Sequence, residues 1–206
     1  GITMQGIFTH FSEADIADKE WAHEQHSRFS AFIDALKGVG VTFNIHHCCN
    51  SAGTLELPDF HREMIRPGII QYGYDASKEV LVTGTKIKPV MSLRCCITHL
   101  KTIYEGDCVG YGRHFTAKGP TKIATLPIGY ADGYNRALSS KIDVIVHGVR
   151  AHQVGNICMD QCMIDVSHIP NVKVGDEVVL FGEQGSECVS ADEIADTCHT
   201  IIHEIT

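Results

Sequence analysis

Glu63-Met64-Ile65-Arg66-Pro67-Gly68-Ile69-Ile70 reads as a short apolar strand running directly into a turn. Arg66 stands at the strand's end, and Pro67-Gly68 turns the chain. In parallel α/β sheets and barrels, functional groups gather where strands end in this way. The backbone N–H groups of Gly68 and Ile69 are free to face an anion. Taken alone, the segment describes a turn with a surface Arg equally well.

The sequence upstream alternates between strand and helix. Residues 6–11 form a first strand ending in polar groups. A helix is expected over 18–37, because Phe29, Phe32, Ile33 and Leu36 recur at helical spacing and Gly38 provides a stop. Residues 41–47 are the next strand, with Val41, Phe43 and Ile45 on one face. Asn50-Ser51-Ala52-Gly53 opens a loop or short helix, and 63–65 are the third strand. Strand–helix–strand order with few turn residues predicts a parallel sheet. Ser51 follows the second strand as Arg66 follows the third, so both belong to one rim.

From Val90 onward the rhythm changes. Short β-rich runs at 92–97, 122–126, 142–146, 162–166 and 177–181 are separated by turns such as Glu105-Gly106-Asp107 and Val174-Gly175-Asp176. This predicts a small antiparallel β domain, closed by a helix that starts at the capping box Ser190-x-x-Glu193. The expected fold class is therefore α/β, with an α/β part over 1–86 and a β-rich part over 87–206.

The 206-residue composition is that of a water-soluble globular chain. No apolar run reaches the roughly 20 residues a membrane helix needs. A net charge of −8 with scattered Lys and Arg argues against nucleic acid as a partner. The nine cysteines include two adjacent pairs and no Cys-x-x-Cys, and adjacent cysteines bridge poorly. They read as buried, reduced thiols of a cytosolic protein. The histidines, His10 and His47 among them, are too dispersed to propose a metal.

A second chemical segment is Leu126-Pro127-Ile128-Gly129-Tyr130-Ala131-Asp132-Gly133-Tyr134. It places Tyr130 on a tight glycine turn. A phenol with a pKa near ~10 must be lowered by a cation to act as a base. Arg136 is the local candidate, and another subunit is a second source. A third segment, Val154-Gly155-Asn156-Ile157-Cys158-Met159-Asp160-Gln161, is a strand ending in a polar turn.

The ordered set is more specific than its parts. Thr9-His10-Phe11 with Ala14-Asp15, His47-Cys48-x-Asn50-Ser51, Ile65-Arg66-Pro67-Gly68-Ile69 with Tyr72-Gly73, Ile128 to Gly133, and Gly155-x-Ile157-Cys158-Met159-Asp160-Gln161 resemble the alanine racemase family. The resemblance covers essentially the whole chain. It implies the last strands of a (β/α)8 barrel followed by a β domain, as the C-terminal part of such an enzyme. It also implies pyridoxal 5′-phosphate chemistry. Ser51, with the backbones of Gly68 and Ile69, would bind the phosphate. Arg66 would face the pyridine nitrogen, and because it stays protonated it would leave that nitrogen unprotonated. Tyr130 would be one of two acid/base groups, acting across a homodimer, and Met159 would touch the substrate carboxylate.

Two departures are expected to matter. The family's cofactor lysine lies in a Lys-Ala-(Asp/Asn)-Ala-Tyr-Gly motif, and none of Lys19, Lys37, Lys78, Lys86, Lys88 or Lys101 has that context. The family also continues beyond Thr206. Both would fit a piece of a longer enzyme, inactive unaided. Asn156 stands where many alanine racemases carry Arg, which keeps a serine racemase of the vancomycin-resistance type open beside alanine. A non-catalytic dimerisation or regulatory module is the remaining alternative. The enzyme reading places the protein in the cytoplasm, supplying D-alanine for peptidoglycan. Open barrel edges predict self-association.

Overall fold

The computed structural model describes residues 1–76, 79 and 87–206. The chain divides into two compact units, Gly1–Val90 and Met91–Thr206. The expected boundary at residue 86, Lys78 and Lys86 all fall outside the described residues.

In the first unit, β1 (Gly6–Phe8) pairs in parallel with β2 (Ile45–His47), with Phe8 opposite His47. The connection between them is α1 (Glu20–Gly38), so the unit is one βαβ crossover. The buried face of α1 carries Ala22 and Phe29, with Ile33 packed against the same core. Phe32, expected on that face, is instead 57% exposed. At about 100° per residue, Phe32 falls about 60° to one side of Phe29, whereas Ala22 and Ile33 fall about 20° and 40° to the other. Helix α2 (Ser51–Glu56) follows β2. Its cap is Asn50, whose Oδ1 accepts from the Gly53 N–H at 3.0 Å.

The expected third strand at 63–65 is absent from the structure. The Glu63 carboxylate stands in its place: Oε2 accepts from the His46 N–H at 2.8 Å and lies 2.9 Å from His46 Nδ1. A side chain thus satisfies a donor that a neighbouring strand would have paired. The segment then meets the strand ends through a single main-chain bond, Arg66 N–H to Cys49 C=O at 2.9 Å.

The second unit is β-rich and antiparallel. Its strands are β3 (Leu93–Cys96), β4 (His99–Ile103), β5 (Cys108–Val109), β6 (Phe115–Thr116), β7 (Thr121–Leu126), β8 (Asp143–Val146), β9 (Val149–Val154), β10 (Cys162–Asp165), β11 (Glu177–Gln184) and β12 (Glu187–Val189). The main sheet runs β12-β11-β8-β9-β10-β7-β4, with β3 also on β11, and β5–β6 form a separate hairpin. Val144, Ile145 and Val146 are fully buried, as are Val178, Val179 and Leu180. Each such side chain contributes ~1.5–3 kcal/mol of apolar burial. Helix α3 (Ala191–Thr197) is capped as expected, Ser190 Oγ accepting from the Glu193 N–H at 3.0 Å. The Glu193 side chain does not return to the cap; it forms two bonds with Arg150, at 2.8 and 3.0 Å.

The cysteines are free thiols, but only Cys48, Cys49 and Cys162 are buried, and Cys96 and Cys188 are exposed. The reading of all nine as core thiols is corrected accordingly. Among the described residues no helix is long and apolar enough to cross a membrane.

Candidate active site

The strand ends of the first unit build a polar rim. Parallel pairing sets Phe8 beside His47, and their rings stack with centroids 5.2 Å apart and 10° between planes. The Arg66 guanidinium lies over the Phe8 ring, 5.3 Å from its centroid. Arg66 Nη2 donates to the carbonyls of Thr9 at 3.0 Å and Cys48 at 3.2 Å, and lies 3.2 Å from His10 Nδ1. Nη1 bonds His47 Nδ1. Burial first, then the Arg66 charge, lowers the pKa of His47 below the usual 6.5. A neutral imidazole can accept the guanidinium N–H, so the geometry and the electrostatics agree. Arg66 is thus held by β1 and β2 together.

Next to it, the Gly68 N–H donates to Ser51 Oγ at 2.8 Å. Ser51 is buried at the first turn of α2, and Ile69 is buried at the start of the turn Ile69–Tyr72. A Cβ on Gly68 would lie 3.5 Å from Ser51 Oγ, in ordinary van der Waals contact. The four residues read from the sequence, Ser51, Arg66, Gly68 and Ile69, therefore lie along one stretch of rim. Sequence reasoning missed His47, His10 and Phe8. Their signal was positional: each closes or follows a strand of the same parallel pair.

Lys19 is committed elsewhere. Its ammonium pairs with Glu56 and donates to the carbonyls of Ala14 at 2.6 Å and Ile16 at 2.5 Å.

In the second unit, Tyr130 opens the turn Tyr130–Asp132, and the Asp132 carboxylate accepts from the Gly129 N–H at 3.0 Å. The Tyr130 N–H donates to Cys158 C=O at 3.0 Å, and the Ala131 N–H to Met159 C=O at 2.8 Å. The Tyr130 and Met159 segments are thus tied by their backbones. Arg136 and Tyr130 line one shallow surface depression with Gly133 and Asn135. A second exposed phenol belongs to a segment whose main chain is bonded to Asn156. Tyr111 is 77% exposed against 43% for Tyr130, and its carbonyl accepts from Asn156 Nδ2 at 2.9 Å. Sequence reasoning passed over Tyr111. Its flanking residues Gly110 and Gly112, both at positive φ, were the available signal.

Residues 90–206 match the family model described as alanine racemase, C-terminal domain, and residues 1–76 match alanine racemase, N-terminal domain. The chain belongs to the alanine racemase family. It is 46% identical over 204 residues to alanine racemase 1 of Clostridium acetobutylicum, covering 99% of this chain and 53% of that protein. It is 45% identical to alanine racemase of Desulforamulus reducens, covering 100% and 55%. The chain therefore spans about half the length of these curated family members. Among solved structures, alanine racemase of Clostridium difficile 630 in complex with cycloserine superposes with a TM-score of 0.92 at 40% identity, covering 98% of this chain and 53% of that one. The Bacillus anthracis alanine racemase with bound L-Ala-P gives 0.89 at 36%, covering 98% and 52%. Family membership agrees with a barrel edge followed by a β domain.

Proposed function

We propose that this chain supplies the phosphate- and ring-holding part of a pyridoxal 5′-phosphate site and a phenolic proton carrier, for an amino-acid racemase acting on alanine. The observation that carries the reading is the Ser51–Gly68 bond set beside an Arg66 fixed by four acceptors. The residues fit the group. A serine hydroxyl and adjacent backbone amides suit a phosphate, and the bare Gly68 leaves room for it. When bound, the cofactor would supply an electron-withdrawing group that loosens the substrate's Cα proton. Arg66 would donate to the ring nitrogen, and it has no proton to give up at neutral pH. That would limit charge delocalisation into the ring and favour return of a proton to Cα. Ser51, Gly68 and Ile69 would hold the phosphate and so fix the ring's orientation.

Racemisation requires removal of a proton from one face of Cα and delivery to the other. One carrier is assigned to the second unit, serving the site of a partner copy in a homodimer. Tyr130 is the sequence-derived choice. Tyr111 is the second reading, favoured by its greater exposure and by the bond of its main-chain carbonyl to Asn156, which ties its segment to the one that carries Met159. Met159 is assigned to the substrate carboxylate. The opposing carrier, a cofactor lysine, is assigned to a barrel half outside this stretch, and the activity to the protein that contains both. The cellular reading is a cytoplasmic supply of D-alanine for peptidoglycan.

The test uses the protein completed by a lysine-bearing barrel half. Tyr130→Phe and Tyr111→Phe are compared in deuterated water, starting from each alanine enantiomer. Loss of the carrier lowers the rate by ~10²–10⁴-fold, with unequal solvent-isotope incorporation from the two enantiomers. If neither variant loses activity, the phenol assignment fails. If the completed wild-type protein racemises neither alanine nor serine, the enzyme reading gives way to a binding or dimerisation module.

A further inference from the structure

Cys48 and Cys49 follow β2 and precede Asn50, the cap of α2. Each is 1% exposed, and their sulfurs lie 3.9 Å apart. A direct S–S bond between neighbours is unfavourable. Disulfides usually need Cα atoms 4.4–6.8 Å apart, whereas adjacent residues are fixed near ~3.8 Å. A bent soft centre is different: with bonds to sulfur of about 2.3 Å, angles between right and tetrahedral put the two sulfurs about 3.3–3.8 Å apart. The observed separation is reached with a small side-chain rotation. Linear coordination would need a span of about 4.6 Å on the same bond length. Among the described residues, no group of three His, Cys, Asp or Glu side chains could hold a metal ion. The pair therefore suits an acceptor that needs only two protein ligands and brings its own third substituent.

We propose that Cys48 and Cys49 form a two-thiol binding site for a monosubstituted trivalent arsenical. The reaction is a condensation. Two S–H and two As–OH bonds break, two As–S bonds form, and two waters leave carrying the thiol protons, while arsenic stays trivalent. The first thiolate is accessible near neutral pH. The hydrogen bond shared with Cys49 outweighs burial and, with the Arg62 and Arg66 charges, lowers Cys48 to about 7. Entry requires a local opening. Cys48 Sγ lies 3.2 Å from the Phe60 carbonyl of the three-residue turn Pro58–Phe60. The pair lies in a core cluster with Phe11, Ala22, Phe29, Ala52, Leu57 and Phe60, so the opening displaces the Pro58–Phe60 turn and loosens its packing against that cluster. The other adjacent pair, Cys95 and Cys96, sits within β3, where successive side chains point to opposite faces, so it cannot grip one atom.

The test incubates the full chain with phenylarsine oxide in excess 2-mercaptoethanol and reads the intact mass. One phenylarsenic per chain is expected, resistant to the monothiol and removed by 2,3-dimercaptopropanol. Cys48→Ser and Cys49→Ser should each lower retained label at least about tenfold, a loss of 1.4 kcal/mol or more. A Cys95→Ser/Cys96→Ser chain should bind as wild type. Urea midpoints establish that each variant is folded. If one is not, peptide mapping of labelled wild type must find the adduct on the peptide carrying both Cys48 and Cys49. Label retained by both single-serine variants, stripped by the monothiol, or mapped elsewhere overturns the proposal.

Discussion

Ser51 and Gly68, seventeen positions apart, are joined by one hydrogen bond of 2.8 Å from the glycine N–H to the serine hydroxyl. Ser51→Ala leaves a part-buried N–H without that acceptor, at about 1 kcal/mol. Gly68→Ala puts a methyl 3.5 Å from the hydroxyl. Both should weaken binding of pyridoxine 5′-phosphate by at least ~10-fold, as measured by equilibrium dialysis. That probe lacks the aldehyde, so it reports the phosphate and ring contacts without covalent capture. Unchanged affinity in both variants would detach this pair from the phosphate.

Arg66→Lys keeps the charge and discards the planar fork. A lysine ammonium cannot reproduce bonds to Thr9, Cys48, His10 and His47 together, nor the stack over Phe8. Charge-assisted bonds contribute about 1.5–3 kcal/mol each. The urea midpoint of the first unit should fall, with a loss of unfolding free energy in that range. An unchanged midpoint would show that the clamp does not stabilise the strand ends.

Acid should destabilise the first unit in two stages. Burial, then Arg66, lowers His47 from 6.5; burial, then Arg62 and His23, lowers His26 from the same value. The unfolded chain therefore takes up protons near pH 6.5 that the folded one refuses. This contribution is present above pH 6.5 and is lost as pH falls through the lower folded values. Glu63 is brought from 4.5 to about 2, chiefly by the His46 N–H. Its contribution is present above pH 4.5 and is lost as pH falls toward 2. Urea midpoints taken from pH 8 to 3 should show both stages. His47→Gln should diminish the upper stage and Glu63→Gln the lower.

Gly129→Ala should damage the second unit. A Cβ there would lie 2.2 Å from the Cys158 carbonyl oxygen and 2.5 Å from the Met159 carbonyl, and both contacts are backbone. Relief requires moving the turn, at ~1–3 kcal/mol or more. Gly119→Ala meets nothing within 4 Å and should stay within ~0.5 kcal/mol of wild type. Thermal melts of the two variants make the comparison.

The β strands were legible where apolar runs stand between glycine turns, as at 142–146 and 177–181. Strand β9, Val149–Val154, was missed because Arg150, His152 and Gln153 interrupt its pattern. Arg150 pairs with Glu187 and Glu193, and His152 with Asp143. Gln153 is fully buried with its amide bonded to the carbonyls of Val154 and Gly155. For Arg150 the partners lie 37 and 43 positions further along the chain, which no local pattern reveals. The opposite error occurred at 63–65, where an apolar pair suggested a strand but Glu63 had already satisfied the edge. His10 and His47 looked dispersed because 37 positions separate them; the parallel register that aligns β1 with β2 is non-local, and no spacing rule reveals it. The motif residues Ser51, Arg66 and Gly68 were legible because each sits at a turn whose chemistry is written in its neighbours.

The bonds joining the Tyr130 and Met159 loops use main-chain atoms alone. The path of the chain there is consequently indifferent to which side chains it displays, provided position 129 stays bare. Such a platform lets the displayed groups be exchanged one at a time while their mounting stays put. Exchanging Tyr130 or Met159 would then demand few compensating changes in the rest of the sheet.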